Sequence, residues 1–138
     1  MKVRKIMHAE VITIQADEPL IRAVELTSAE HIRHLPVLDG EKLVGILSTK
    51  DIRHASPSPL VEGSQGEYHA VFHETPVSRI MRRCPITAGP DASLAQVVRL
   101  LVENKIGAVP IVEGAKLVGI VSELDVLKVF MGVLDALK

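Results

Sequence analysis

Apolar residues fall along this chain in short blocks whose spacing switches between strand and helix patterns, and the switching occurs twice. Val11-Ile12-Thr13-Ile14 and Pro85-Ile86-Thr87-Ala88 predict short strands. Asp17 and Asp91 follow where an N-cap would open a helix. In the second copy of that helix Leu94, Val97, Val98 and Leu101 recur at i, i+3, i+4 and i+7, a stripe that faces a core, and Leu20, Ala23, Val24 and Thr27 form its weaker counterpart. Leu35-Pro36-Val37-Leu38 and Leu43-Val44-Gly45-Ile46-Leu47 flank Asp39-Gly40, residue types that suit a tight hairpin turn, and Glu113-Gly114 repeats the arrangement. Each run is too apolar to alternate, so both hairpin strands are expected to be covered on both faces. Ser48 and Ser122 then begin a further helix.

These blocks are two copies of one unit. Val3-Arg4-Lys5-Ile6-Met7 recurs as Val77-Ser78-Arg79-Ile80-Met81 at an offset of 74 residues. The same offset relates Thr13 to Thr87, Asp17 to Asp91, Pro36 to Pro110, Gly40 to Gly114 and Asp51 to Asp125. Lys42-Leu43-Val44-Gly45-Ile46 matches Lys116-Leu117-Val118-Gly119-Ile120 without a gap. Such a period means one supersecondary unit used twice, each copy burying its apolar face against the other. The reading is an α+β chain of two tandem β-α-β-β-α units with pseudo-twofold symmetry. Residues 1–55 form the first domain and 77–138 the second, with an extended C-terminal helix over 123–138. Residues 56–76 are a linker, marked by Ser56-Pro57-Ser58-Pro59 and Gly63-Ser64-Gln65-Gly66, with a short helix predicted over 67–74.

Composition narrows the function classes. In 138 residues, 47% are hydrophobic and 24% charged, the balance of a chain with a real core. A net charge of -1 supplies no global field for a polyanion. Arg79, Arg82 and Arg83 form a local basic cluster, but two phenylalanines, one tyrosine and no tryptophan leave little platform for stacking bases, which argues against a nucleic-acid partner. Cys84 is the only cysteine, so no internal disulfide forms, and it is read as structural. No apolar stretch has the length of a signal peptide or a membrane span, and the expected location is the cytoplasm. His69 and His73 lie four apart with His54 and Glu74 nearby, but no third ligand at firm spacing supports a metal site. Neither a phosphate loop, a nucleophile elbow, His-Glu-x-x-His nor Cys-x-x-Cys occurs, which argues against an enzyme.

Taken together, Val-x-x-Ile-Met, an apolar-Pro-apolar strand, a Gly-bearing turn and Leu-Val-Gly-Ile-apolar-Ser-x-x-Asp resemble the CBS domain, named after cystathionine β-synthase. The resemblance covers 3–52 and 77–126. It implies a domain pair packed through its sheets, often dimeric, with clefts between the copies that take adenosine-containing ligands such as AMP, ADP or ATP. The nucleotide would act as a regulatory ligand, not as the cofactor of a reaction. The resemblance thus implies a regulatory role, similar to accessory proteins linked with acetoin utilisation or inosine monophosphate dehydrogenase.

On that resemblance, Ser48 and Asp51, and Ser122 and Asp125, stand where a carboxylate accepts hydrogen bonds from ribose hydroxyls. A helix N-terminus beside the acid would offer N–H groups to phosphate, and Lys50 stands there too. The same Ser-x-x-Asp spacing is also a variant of the capping box. Arg33 and His34 occupy the positions of a phosphate-binding basic pair, for which a guanidinium fork is well suited, although they also suit solvation of a helix C-terminus. The second copy has Gly107-Ala108 instead, so one well-formed site and one poor or differently used site are expected. Thr13 and Thr87 stand where relatives contact base or ribose, and equally suit plain strand positions. A homodimer, or an unidentified regulated enzyme docked on the long C-terminal helix, completes the expectation.

Overall fold

A computed structural model describes residues 1–57 and 64–138, and part of the linker reading, including Ser58, Pro59 and Gly63, lies outside the described residues. The chain is mixed α+β and sorts into two compact units. One consists of Ile12–Cys84; the other joins Met1–Val11 to Pro85–Lys138. The Val-x-x-Ile-Met head of each copy is therefore found in the unit built around the other copy's hairpin.

In the unit Ile12–Cys84 the elements are β1 (Ile14–Gln15), α1 (Leu20–Glu30), β2 (His34–Asp39), β3 (Lys42–Ser48), α2 (Thr49–Ala55), α3 (Ser64–Glu74), α4 (Val77–Ile80) and β4 (Arg82–Arg83). The sheet order is β1-β2-β3-β4, with β1 parallel to β2 and the other neighbours antiparallel. The first strand is shorter than Val11-Ile12-Thr13-Ile14 predicts, because only Ile14 and Gln15 reach the ladder, opposite Val37 and Leu38. Asp17 does not cap α1. The N-cap is Pro19, with no side-chain cap, and the Leu20 N–H donates to the Thr75 carbonyl at 2.9 Å. Leu20, Ala23 and Thr27 face inward as the periodicity predicts, and the Thr27 hydroxyl donates to the Ala23 carbonyl at 2.8 Å. Leu20 and Ala23 join Ile14, Leu35, Val37, Leu47, Ile52, Phe72 and Val77 in one buried core. Phe72, from the linker helix, is part of that core, so residues 64–74 are more than a spacer.

The other unit contains a 3-10 turn at Val3–Lys5, α5 (Leu94–Asn104), β5 (Ala108–Glu113), β6 (Lys116–Ser122) and α6 (Glu123–Ala136). Here the predicted strand at Pro85-Ile86-Thr87-Ala88 reduces to one bridge, Ala88 to Ile111. Ser93, not Asp91, caps α5, in a reciprocal box with Gln96. Asp91 instead accepts from the Arg4 guanidinium at 2.8 Å, and that hydrogen bond and charge hold its exposed carboxyl below the usual carboxylate range. Val3, Val97, Leu101, Val109, Ile111 and Val121 make the core.

Gly40 and Gly114 have φ of 63° and 61°, the left-handed conformation the hairpin turns require. The expectation that both hairpin strands are covered on both faces holds for the middle of β2 and the first part of β5. In β3 and β6 buried residues alternate with half-buried ones toward the C-terminal end of each strand. Cys84 is exposed, in a left-handed conformation at φ 51°, and packs in neither core, contrary to a structural role. No helix among the described residues is long and apolar enough to cross a membrane.

Candidate functional site

The hairpin register decides which polar residues meet. In the unit Ile12–Cys84, β2 begins where β3 ends, so His34 lies opposite Ser48. One residue further, the Thr49 N–H donates to the Arg33 carbonyl at 2.9 Å. Arg33 and His34 are thereby fixed beside the start of α2, with Arg33 exposed and His34 half-buried. Lys50 is on the first turn of that helix. Thr13 lies just before β1, toward the end of the sheet at which β2 begins, and is separated from Ser48 by β2.

Ser48 and Asp51 do form the capping box that their spacing allows. The Ser48 N–H donates to Asp51 Oδ2 at 2.9 Å, and the Asp51 N–H donates to Ser48 Oγ at 3.1 Å. Capping consumes Oδ2 but not Oδ1. That second oxygen faces Arg82 Nε at 3.6 Å, brought there because β4 pairs Arg82 with Ile46. Two N–H groups that a phosphate would otherwise find are also bonded, that of Thr49 to the Arg33 carbonyl and that of Asp51 within the cap. Positive charge at this edge comes from side chains instead, those of Arg33 and Lys50, with His34 beside them.

The second copy repeats the frame with different side chains. Ala108 lies opposite Ser122, and the Glu123 N–H donates to the Gly107 carbonyl at 2.9 Å. Asp125 Oδ2 accepts from the Ser122 N–H at 2.8 Å and the Ser122 hydroxyl at 3.0 Å. Its Oδ1 lies 2.8 Å from His8 Nε2. Asp125 is more enclosed than Asp51, and Gly107-Ala108 adds no cation. Thr87 is half-buried next to the Ala88 bridge.

His8 and Arg82 are the residues that sequence reasoning left out of the sites. They occupy the same repeat position, each directly after Ile-Met, and each faces the second oxygen of a Ser-x-x-Asp carboxylate. The 74-residue offset marks them as equivalent; only the exchange of heads between the units reveals which acid each one meets. Elsewhere, the His69 and His73 rings stack at 4.1 Å on α3, but no group of three or more His, Cys, Asp or Glu positioned for a metal occurs among the described residues.

Known proteins share this architecture. A putative acetoin utilization protein (AcuB) from Vibrio cholerae is 29% identical, with a TM-score of 0.78 over 98% of this chain and 93% of that one. The CBS domain pair of protein MJ0100, solved with 5′-methylthioadenosine and S-adenosyl-L-methionine, is 28% identical, with a TM-score of 0.79 over 96% of this chain and 97% of that one. A 33.4 kDa protein encoded in a ribosomal RNA operon of Thermofilum pendens is 31% identical over 132 residues, which cover 92% of this chain but only 43% of that relative. The CBS domain family model matches residues 3–58 and 77–132, the two copies that the 74-residue offset defines, and the chain therefore belongs to the CBS domain family.

Proposed function

We propose that this chain is a regulatory sensor of an adenine nucleotide, AMP, ADP or ATP, without chemistry of its own. The ribose is held by Ser48 and Asp51, with Thr13 across β2 toward the same end of the sheet, and the phosphates by Arg33, His34 and Lys50. Binding changes the packing of the module or its hold on a partner, which requires the ligand to prefer one arrangement over another. The single observation that carries this reading is the strand register, in which His34 lies opposite Ser48, next to a carboxylate whose second oxygen makes a long ion pair with Arg82 among the described residues. A carboxylate oxygen accepting from ribose hydroxyls, with cations that bind phosphate, supplies the ribose and phosphate contacts of a nucleotide. The MJ0100 pair, solved with adenosine-containing molecules, supports the ligand class. The second copy, with Thr87, Ser122 and Asp125 but no basic pair, is proposed as the weaker site.

Calorimetry against AMP, ATP, S-adenosylmethionine and NAD tests this. A nucleotide is expected to bind and to raise the melting temperature. Asp51→Ala is expected to weaken binding by roughly 10- to 100-fold, the worth of hydrogen bonds to a charged acceptor. A flat response to all these ligands would end the proposal.

One observation favours a second reading, a ligand-free interaction module. On α6, Leu124, Leu127, Phe130, Met131 and Leu134 are each about half exposed, an apolar face of the kind a second copy or a docked enzyme covers. It predicts no nucleotide effect on melting.

A further inference from the structure

The acid that the nucleotide reading requires is already engaged in both units, and by different side chains. Asp51 and Asp125 turn Oδ2 into their helix caps, so Oδ1 is the oxygen left facing outward, and a ribose diol that donates to it meets whatever already stands against it. At Asp51 that oxygen is approached by Arg82 at 3.6 Å, a loose ion pair in which the arginine side chain is 60% exposed. Exposed pairs of this length are weak and readily displaced. At Asp125 the occupant is the His8 imidazole at 2.8 Å, in hydrogen-bond contact with a carboxylate only 9% exposed.

We propose that Arg82 is the specificity-determining residue of the first copy's site, selecting anionic adenosine ligands over uncharged ones; the proposal rests on the nucleotide reading above. A diol bound at Asp51 Oδ1 crowds the loosely held Arg82 side chain, which makes no hydrogen bond there and is free to turn away. An uncharged nucleoside gives that guanidinium nothing in return, whereas a nucleotide brings phosphate oxygens that the fork can grip in a bidentate pair. Displacing Arg82 therefore costs the uncharged ligand a partner and offers the anionic one a better partner. His34 opens β2 of the same sheet, opposite Ser48 and with Arg33 immediately before it, so the guanidinium stands at the end of the sheet that carries these basic residues. In the second copy, displacement breaks a direct hydrogen bond and Gly107-Ala108 adds no cation, so the same selectivity does not arise.

The neighbouring Arg83 provides the control. It carries the same charge, is exposed, and is next in β4, where alternation turns its side chain to the opposite face of the strand. AMP and adenosine share base and ribose and differ in the phosphate, and their affinities are measured by calorimetry on the wild type and on Arg82→Gln, Arg82→Lys and Arg83→Gln. Arg82→Gln is expected to weaken AMP about tenfold and to leave adenosine within about twofold. Arg82→Lys, which keeps the charge but not the fork, is expected to recover only part of the preference, and Arg83→Gln to change neither ligand by more than about twofold. Equal losses of AMP and adenosine in Arg82→Gln would make Arg82 a mere support for Asp51 and overturn the proposal. An AMP loss of the same size in Arg83→Gln would reduce the effect to the general field and overturn it too. A wild type blind to both ligands overturns the nucleotide reading itself, a failure told apart because it precedes any substitution.

Discussion

A Val3→Asp chain is expected to lose hydrogen-exchange protection in α5, β5 and β6 while α1, β2 and β3 keep theirs. By sequence Val3 opens the first copy, and its repeat counterpart is Val77. Its side chain is nevertheless fully buried among Val97, Leu101, Val109, Ile111 and Val121, the core of the second copy's hairpin. The backbone ties the same segment down. The Val3 N–H donates to the Ala92 carbonyl and the Leu94 N–H to the Met1 carbonyl, both at 2.8 Å. A carboxylate at position 3 would have no partner within that apolar core, and the expected cost is about 4 kcal/mol. Loss of protection in β2 and β3 instead would mean that the head of the first copy supports its own hairpin, contrary to the union of Met1–Val11 with Pro85–Lys138.

Gly45→Ala is expected to destabilise the unit Ile12–Cys84 by about 2 kcal/mol, within the range of overpacking a closed site. A Cβ on Gly45 would stand 2.5 Å from Met81 Sδ and 2.9 Å from the Arg82 carbonyl oxygen. The thioether can swing aside, but the carbonyl belongs to β4 and moves only with the ladder. Gly119→Ala is expected to cost less, because its Cβ would meet Met7 Sδ at 2.5 Å but the His8 carbonyl only at 3.2 Å. Thermal melts of the two variants check this, and an equal or reversed order would contradict the packing described. The two glycines explain why Ile-Met and Leu-Val-Gly-Ile occur together in each copy: the methionine of one motif lies across the glycine of the other copy's motif.

Much of this architecture was legible in the sequence. The offset, the apolar stripes on α1 and α5, the hairpins and the Ser-x-x-Asp caps depend on local periodicity and turn chemistry, which a single chain displays directly. Residue type alone does not fix which position opens a helix, and this is why Asp17 and Asp91 read as caps. Pro19 and Ser93 lie next to the first helical residue, and Asp91 pairs with Arg4 instead. The opposition of Arg82 to Asp51 and of His8 to Asp125 was not legible, because it depends on heads exchanged over long sequence separations. From the sequence, Arg82 is one member of a basic cluster, and the offset pairs His8 with it without showing which acid either one meets.

The most direct test of nucleotide sensing at the first copy's site is an amide NMR titration of the full chain with AMP. Saturable shifts are expected at Arg33, His34, Ser48, Lys50 and Asp51, with smaller or later changes at Gly107, Ala108, Ser122 and Asp125. No saturable shift, or shifts confined to the second set, would contradict it.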